Sequence, residues 1–163
     1  MEYQNAGAPS AGVNEVQTLT VGGTPTGGTF KLAYEGETTT AITWSAVNAT
    51  LLTNINAALD ALETVGASGI VATAGTLTAG IGTILLTFGA NLAKLVVPLV
   101  SIANNSLTGT APTLENAETT AGVTATARGA LKGAELTDTT NGKQYINTGT
   151  PLVPIWTVVG TQT

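Results

Sequence analysis

The capacity of this chain for chemistry rests on its carboxylates, because 163 residues include ten Asp and Glu, five Lys and Arg, and neither His nor Cys. Two carboxyl groups held close together suit glycosidic hydrolysis, one as acid and the other as base or nucleophile. The close pairs weighed for this role are Glu35 with Glu37 and Glu115 with Glu118. Both fall in turn-like or loop-like surroundings typical of solvated charge, so the residues predict no enzyme. Without His or Cys, the common zinc ligands and thiol redox chemistry are absent. Asp138-Thr-Thr-Asn141 alternates oxygen ligands with turn residues, yet it lacks the further acids and the closing glutamate of a calcium loop. The glycine-rich run Val21–Gly28 has no lysine after its glycines and leads into a strand pattern, which fails the requirement of a phosphate-cradling loop. No catalytic, cofactor or metal residue is expected.

Charge narrows the partners. A net charge of -5, with no two of Lys31, Lys94, Arg128, Lys132 and Lys143 adjacent, excludes a nucleic-acid surface, which needs clustered cations. The most apolar stretch, residues 81–102, is interrupted by Gly82, Lys94 and Pro98 and is no membrane span. The residues after Met1 show no basic region followed by an apolar run, so no signal peptide is expected and the protein is read as used without secretion. What remains is a protein that folds and adheres to a partner.

The elements follow from periodicity. Residues 1–14 are small and polar with no hydrophobic period, and read as an extended N-terminal arm. Leu19 and Val21 alternate with threonines, residues 22–28 read as a loop, and Phe30, Leu32 and Tyr34 share one face of a second strand. A turn at Gly36 leads to a third strand, residues 38–44, with Ile42 and Trp44 on one face, so a three-stranded meander is expected. The period then shifts to that of a helix. Asn48 is the expected N-cap, and Leu51, Leu52, Ile55, Leu59 and Leu62 form one stripe ending near Gly66. Strands are expected at 69–73, 83–88 and 95–102, the last two buried on both faces, then a loop over 104–112 and a closing strand over 118–126. Beyond a composition break near Ala127, Asn141-Gly142 predicts a two-residue hairpin turn, and residues 155–159 a last strand.

The expected architecture is α+β and predominantly β: an antiparallel sheet or sandwich with one amphipathic helix over residues 15–126, and a small C-terminal β module over 127–163. Such a small sheet needs a neighbour. Tyr145 and Trp156 within it, and Tyr3 in the arm, are the candidate interface residues. Trp44, by its alternation with Ile42, belongs to a core face and not to a sugar-stacking platform.

At these residues a resemblance enters. Asp138–Thr150 (DTTNGKQYINTGT) with Pro154–Gly160 (PIWTVVG) resembles a short module at the ends of bacteriophage head-fibre, decoration and tail-associated proteins. Glu15–Phe30 (EVQTLTVGGTPTGGTF), followed by the helix 48–62, is similar to a β-rich repeat of phage head and tail proteins. The resemblance implies a virion structural protein of the capsid decoration or head-fibre type, without catalytic residues or cofactors. Its implied partner is the major capsid protein, and its implied place the capsid exterior after synthesis in the bacterial cytoplasm. A homo-oligomer is expected, a trimer matching the threefold positions of an icosahedral shell. The alternative is a tail or baseplate component that binds a receptor or glycan.

Overall fold

The structure, a computed structural model, describes residues 11–124, 132–138, 140–149 and 155–161. Its contacts divide the chain into a unit spanning Gly12–Thr124 and a second that holds the C-terminal strands. Residues 1–10, and with them Tyr3, lie outside the described residues. The last residues of the expected arm are bound into the first unit: Val13 and Val123 exchange two backbone hydrogen bonds of 2.9 Å, and Asn14 Oδ1 accepts one from the Lys94 N–H at 3.0 Å.

The fold is mostly β, with antiparallel sheets, one helix and a small three-stranded sheet at the C-terminus. A long ribbon takes the place of the expected meander. Strand β1, Val16–Tyr34, runs unbroken for 19 residues against the 20-residue β6, Ser101–Thr120. The segments 22–28 and 104–112, expected as loops, lie inside these strands. Glycine and proline mark chain breaks and bulges alike, and here they make bulges. The register slips between Gly22 and Thr24 and again between Pro25 and Gly27. Gly23 adopts φ +73°, and a Cβ there would collide with the Ala111 carbonyl oxygen, so the two backbones approach closely only because no side chain intervenes. Pro25 is tolerated because its stretch of β1 has a partner on one edge only.

On its other edge, the first half of β1 pairs with β5, Gly82–Phe88, and beyond β5 lies β4, Ile70–Ala74. The second half carries β2, Glu37–Thr38, and β3, Ile42–Thr43. The two halves fold over one another in a sandwich-like arrangement. Asn116 Nδ2 donates to the Val100 carbonyl at 2.8 Å, whereas a straight strand of that length would hold them about 50 Å apart. Tyr34 from one half meets Phe88, aligned with the other, with ring centroids 5.8 Å apart. Period-two side chains fill the space between: Leu19, Val21, Phe30, Leu32, Tyr34, Ile84, Leu86 and Phe88 are all buried.

Helix α1, Asn48–Asp60, buries Leu51, Ile55, Ala58 and Leu59 against this core and packs on β3 and β4. It ends six residues before Gly66, and its N-cap is Val47, without a side-chain cap bond. The expected cap, Asn48, turns away: its amide donates to the Leu77 carbonyl at 2.8 Å and accepts from the Gly80 N–H at 2.9 Å. Asn56 reaches the outer edge of β4, accepting from Ala72 N–H at 2.7 Å and donating to the Ala72 carbonyl at 3.1 Å. On β6 the Asn105 side chain occupies the Leu107 N–H and the Pro112 carbonyl in the same manner.

Two further expectations change. Strand β5 alternates buried and half-buried residues instead of being buried on both faces. Residues 95–100 are not a strand but an irregular strap leading from the 3-10 turn Ala90–Leu92 into β6.

The terminal unit forms its sheet in the order β7, Glu135–Asp138; β8, Lys143–Asn147; β9, Trp156–Thr161. Asp138 pairs with Lys143, so the connection takes four residues where the sequence predicts two. Asp138 causes the difference by capping the turn: Oδ1 accepts from the Thr140 and Asn141 N–H groups at 3.0 and 3.1 Å, and Oδ2 from Asn141 Nδ2 at 2.8 Å.

Candidate interaction surfaces

Among its described residues the terminal sheet is held by hydrogen bonds. Among its described side chains the one buried is the amide of Asn147, and no large apolar residue is buried with it. Asn147 Oδ1 accepts from the Gly149 and Ile155 N–H groups at 3.0 and 2.9 Å, while its backbone ties Gly133 and Ala134. Ile155, Trp156, Val158 and Val159 are exposed, from 38% for Trp156 to 58% for Ile155. Tyr145, half-buried, lies opposite Val158, and Trp156 lies opposite Asn147. Tyr145 and Trp156 thus occupy adjacent strands two residues apart in register.

The larger unit presents a second apolar feature, on the strap. Its inward residues Val97 and Val100 join the core, while Leu95, Val96 and Leu99 point outward, Val96 with 72% of its surface exposed. The strap keeps this shape because the start of β1 supplies its hydrogen bonds. Glu15, fully buried, accepts from Val97 N–H at 3.0 Å and from Gln17 Nε2 at 2.7 Å. Gln17 also donates to the Pro98 carbonyl at 3.0 Å and accepts from Val100 N–H at 2.9 Å and Asn116 Nδ2 at 2.8 Å. Irregular backbone inside a fold must find such partners. Two atoms of the unit, Tyr34 OH and Asn116 Oδ1, are buried without a protein partner. Burial, with the charges of Glu35 and Glu15, pushes the Tyr34 phenol up to about 12. The sequence carried one signal of this seam: Gln17 stands at the same parity as Leu19 and Val21.

The carboxylates expected to be solvated charge do not converge. Glu115 lies opposite Thr20 and Glu118 opposite Gln17, positions of opposite parity, so the two carboxyl groups point to opposite faces of the sheet. Glu37 Oε2 accepts from Thr64 N–H at 2.9 Å and Thr64 Oγ1 at 2.8 Å, bonds that hold its carboxyl below the ordinary range. Its neighbour Glu35 sits in the turn between β1 and β2 at φ +47°. The hydrogen bonds of the turn also lower Asp138. Among the described residues no three His, Cys, Asp or Glu gather as a metal site, and no helix is long and apolar enough to cross a membrane. Trp44 packs against the core and donates from Nε1 to the Gly80 carbonyl at 3.0 Å, and a Cβ at Gly80 would press on its ring. No protein-family model and no curated protein matches the chain.

Proposed function

We propose that this chain is a non-enzymatic phage capsid decoration protein of the head-fibre kind, which binds the outer surface of the assembled shell and reinforces or ornaments it. The observation that carries the reading is the terminal sheet: among its described side chains the buried one is the Asn147 amide, while Ile155, Trp156, Val158 and Val159 are turned to solvent. Ordering each residue costs roughly 1 to 2 kcal/mol of backbone entropy, which apolar burial normally offsets. The described apolar side chains of this sheet, which lack that burial, gain it on meeting another surface. Tyr145 and Trp156 are the residues to be covered, by the major capsid protein or by another copy of the chain. The residue resemblance of 138–150 and 154–160 to phage head-fibre and decoration modules supplies the biological setting.

Quantifying the chain in purified particles by mass spectrometry tests this. A copy number in proportion to the shell subunits supports the decoration role. A copy number matching the tail would replace it with the tail or baseplate reading, and absence from particles would end both.

A further inference from the structure

The sheet edges of this protein are not treated alike. On the larger sheet, β4 is capped by the Asn56 amide, and β6 carries the Asn105 clamp, Pro112, Glu115 and Glu118. β2 and β3 span two residues each. In the terminal sheet the β7 edge bears Glu135 and Asp138. These are the devices by which proteins stop edge strands from pairing with other chains. Strand β9 has a bulge at Val159, where Tyr145 and Gln144 align with Val158 and Gly160. It has no charge, no proline and, among the described residues, no side chain capping its outer edge and no strand paired there.

We propose that the outer edge of β9 is a strand-pairing surface whose occupant is β9 of a second copy, antiparallel and centred on Thr157. The Ile155 carbonyl accepts from Thr148 N–H at 2.8 Å, so Ile155 faces β8. By alternation Thr157 also faces β8, and Trp156 and Val158 direct their backbone groups to the open edge. Centring the pair on Thr157 places Trp156 opposite Val158 of the second copy and Thr157 opposite itself. Aromatic with β-branched and Thr with Thr are favourable cross-strand pairs. No charge lies between Ile155 and Thr161, so no like charges meet across the axis. An edge that is complementary to itself makes an isologous two-fold contact. The unit of association is then a pair joined through a six-stranded sheet, not the trimer suggested by threefold shell positions. This holds whether or not the protein attaches to a shell.

The chain has no native cysteine, so an engineered one reports the contact directly in the full-length protein. In a non-hydrogen-bonded antiparallel pair the Cα atoms stand about 4.5 Å apart, within disulfide reach. Thr157→Cys is expected to form a covalent dimer under mild oxidation several-fold faster than Thr137→Cys on the charged β7 edge. The unmodified chain is expected to sediment as a dimer. Val158→Pro, which removes an edge donor without touching the β8 ladder, is expected to sediment as a monomer with unchanged melting of the larger unit. Cross-linking of Thr157→Cys no faster than Thr137→Cys would overturn the proposal. So would an unmodified chain that is a monomer or a trimer, or a dimer that survives Val158→Pro.

Discussion

Asn116 donates to the carbonyl of Val100, 16 positions earlier in the chain, at 2.8 Å, and so closes the β1–β6 ribbon upon itself. The same amide nitrogen also reaches Gln17 Oε1 at 2.8 Å. The seam of the sandwich-like fold is therefore polar, and the core of alternating aliphatic and aromatic side chains lies beside it.

Gln17 makes four hydrogen bonds in this seam, to Glu15, Pro98, Val100 and Asn116. Gln17→Ala leaves several of these groups buried without partners, each costing about 1 to 3 kcal/mol. A loss of about 3 kcal/mol or more in denaturant unfolding is expected. A loss under about 1 kcal/mol would show that water replaces the side chain easily.

The Tyr34 hydroxyl is buried without a partner, so Tyr34→Phe removes a desolvated group without breaking a bond. The variant is expected to be as stable as the parent, or more so by about 1 kcal/mol. Because the folded phenol is raised from 10.0 to about 12, the folded state keeps a proton that the unfolded chain releases. That contribution is complete below pH 10.0, declines above it and is lost as pH rises through about 12. Tyr34→Phe should flatten this part of the stability profile; an unchanged alkaline slope would refute the assignment.

Leu59 is fully buried on the core face of α1. Leu59→Ala is expected to cost roughly 2 to 5 kcal/mol, the range for buried leucines whose cavity relaxes little. Thermal melting checks it, and a loss below about 1 kcal/mol would contradict the packing of the helix on the sheet.

Ala111 occupies the left-handed region at φ +45° opposite Gly23. Ala111→Gly relieves a conformation that costs an L-residue about 1 kcal/mol, so its melting temperature is expected to rise. Gly23→Ala drives a methyl group into the Ala111 carbonyl and should lower it. The reverse order of the two variants would place the bulge elsewhere.

Much of the core was legible because its period is regular. Leu19 and Val21, then Phe30, Leu32 and Tyr34, alternate as half-buried strands do, and Leu51, Ile55 and Leu59 keep a helical stripe. The ribbon was not legible, because residues 22–28 carry turn chemistry and their partner strand lies about eighty positions away. Glycines needed for close backbone approach look, in sequence, like glycines needed for a turn. The strap misled in the opposite way: Leu95, Val96 and Leu99 are apolar enough for a buried strand, yet Pro98 and the hydrogen bonds from Glu15 and Gln17 hold them outward. Of the candidate interface, Tyr145 and Trp156 lie on neighbouring strands of one sheet, a pairing that the Asn141-Gly142 hairpin signal, which joins β7 to β8, did not specify.

The central claim is that Tyr145 and Trp156 of the terminal sheet are covered by another chain on the assembled particle. A reconstruction of the purified virion tests it most directly. The account predicts the chain on the outside of the shell, with the Tyr145 and Trp156 side chains covered by a capsid subunit or by a second copy. Finding the chain absent from the particle, or both side chains open to solvent on it, would contradict the account.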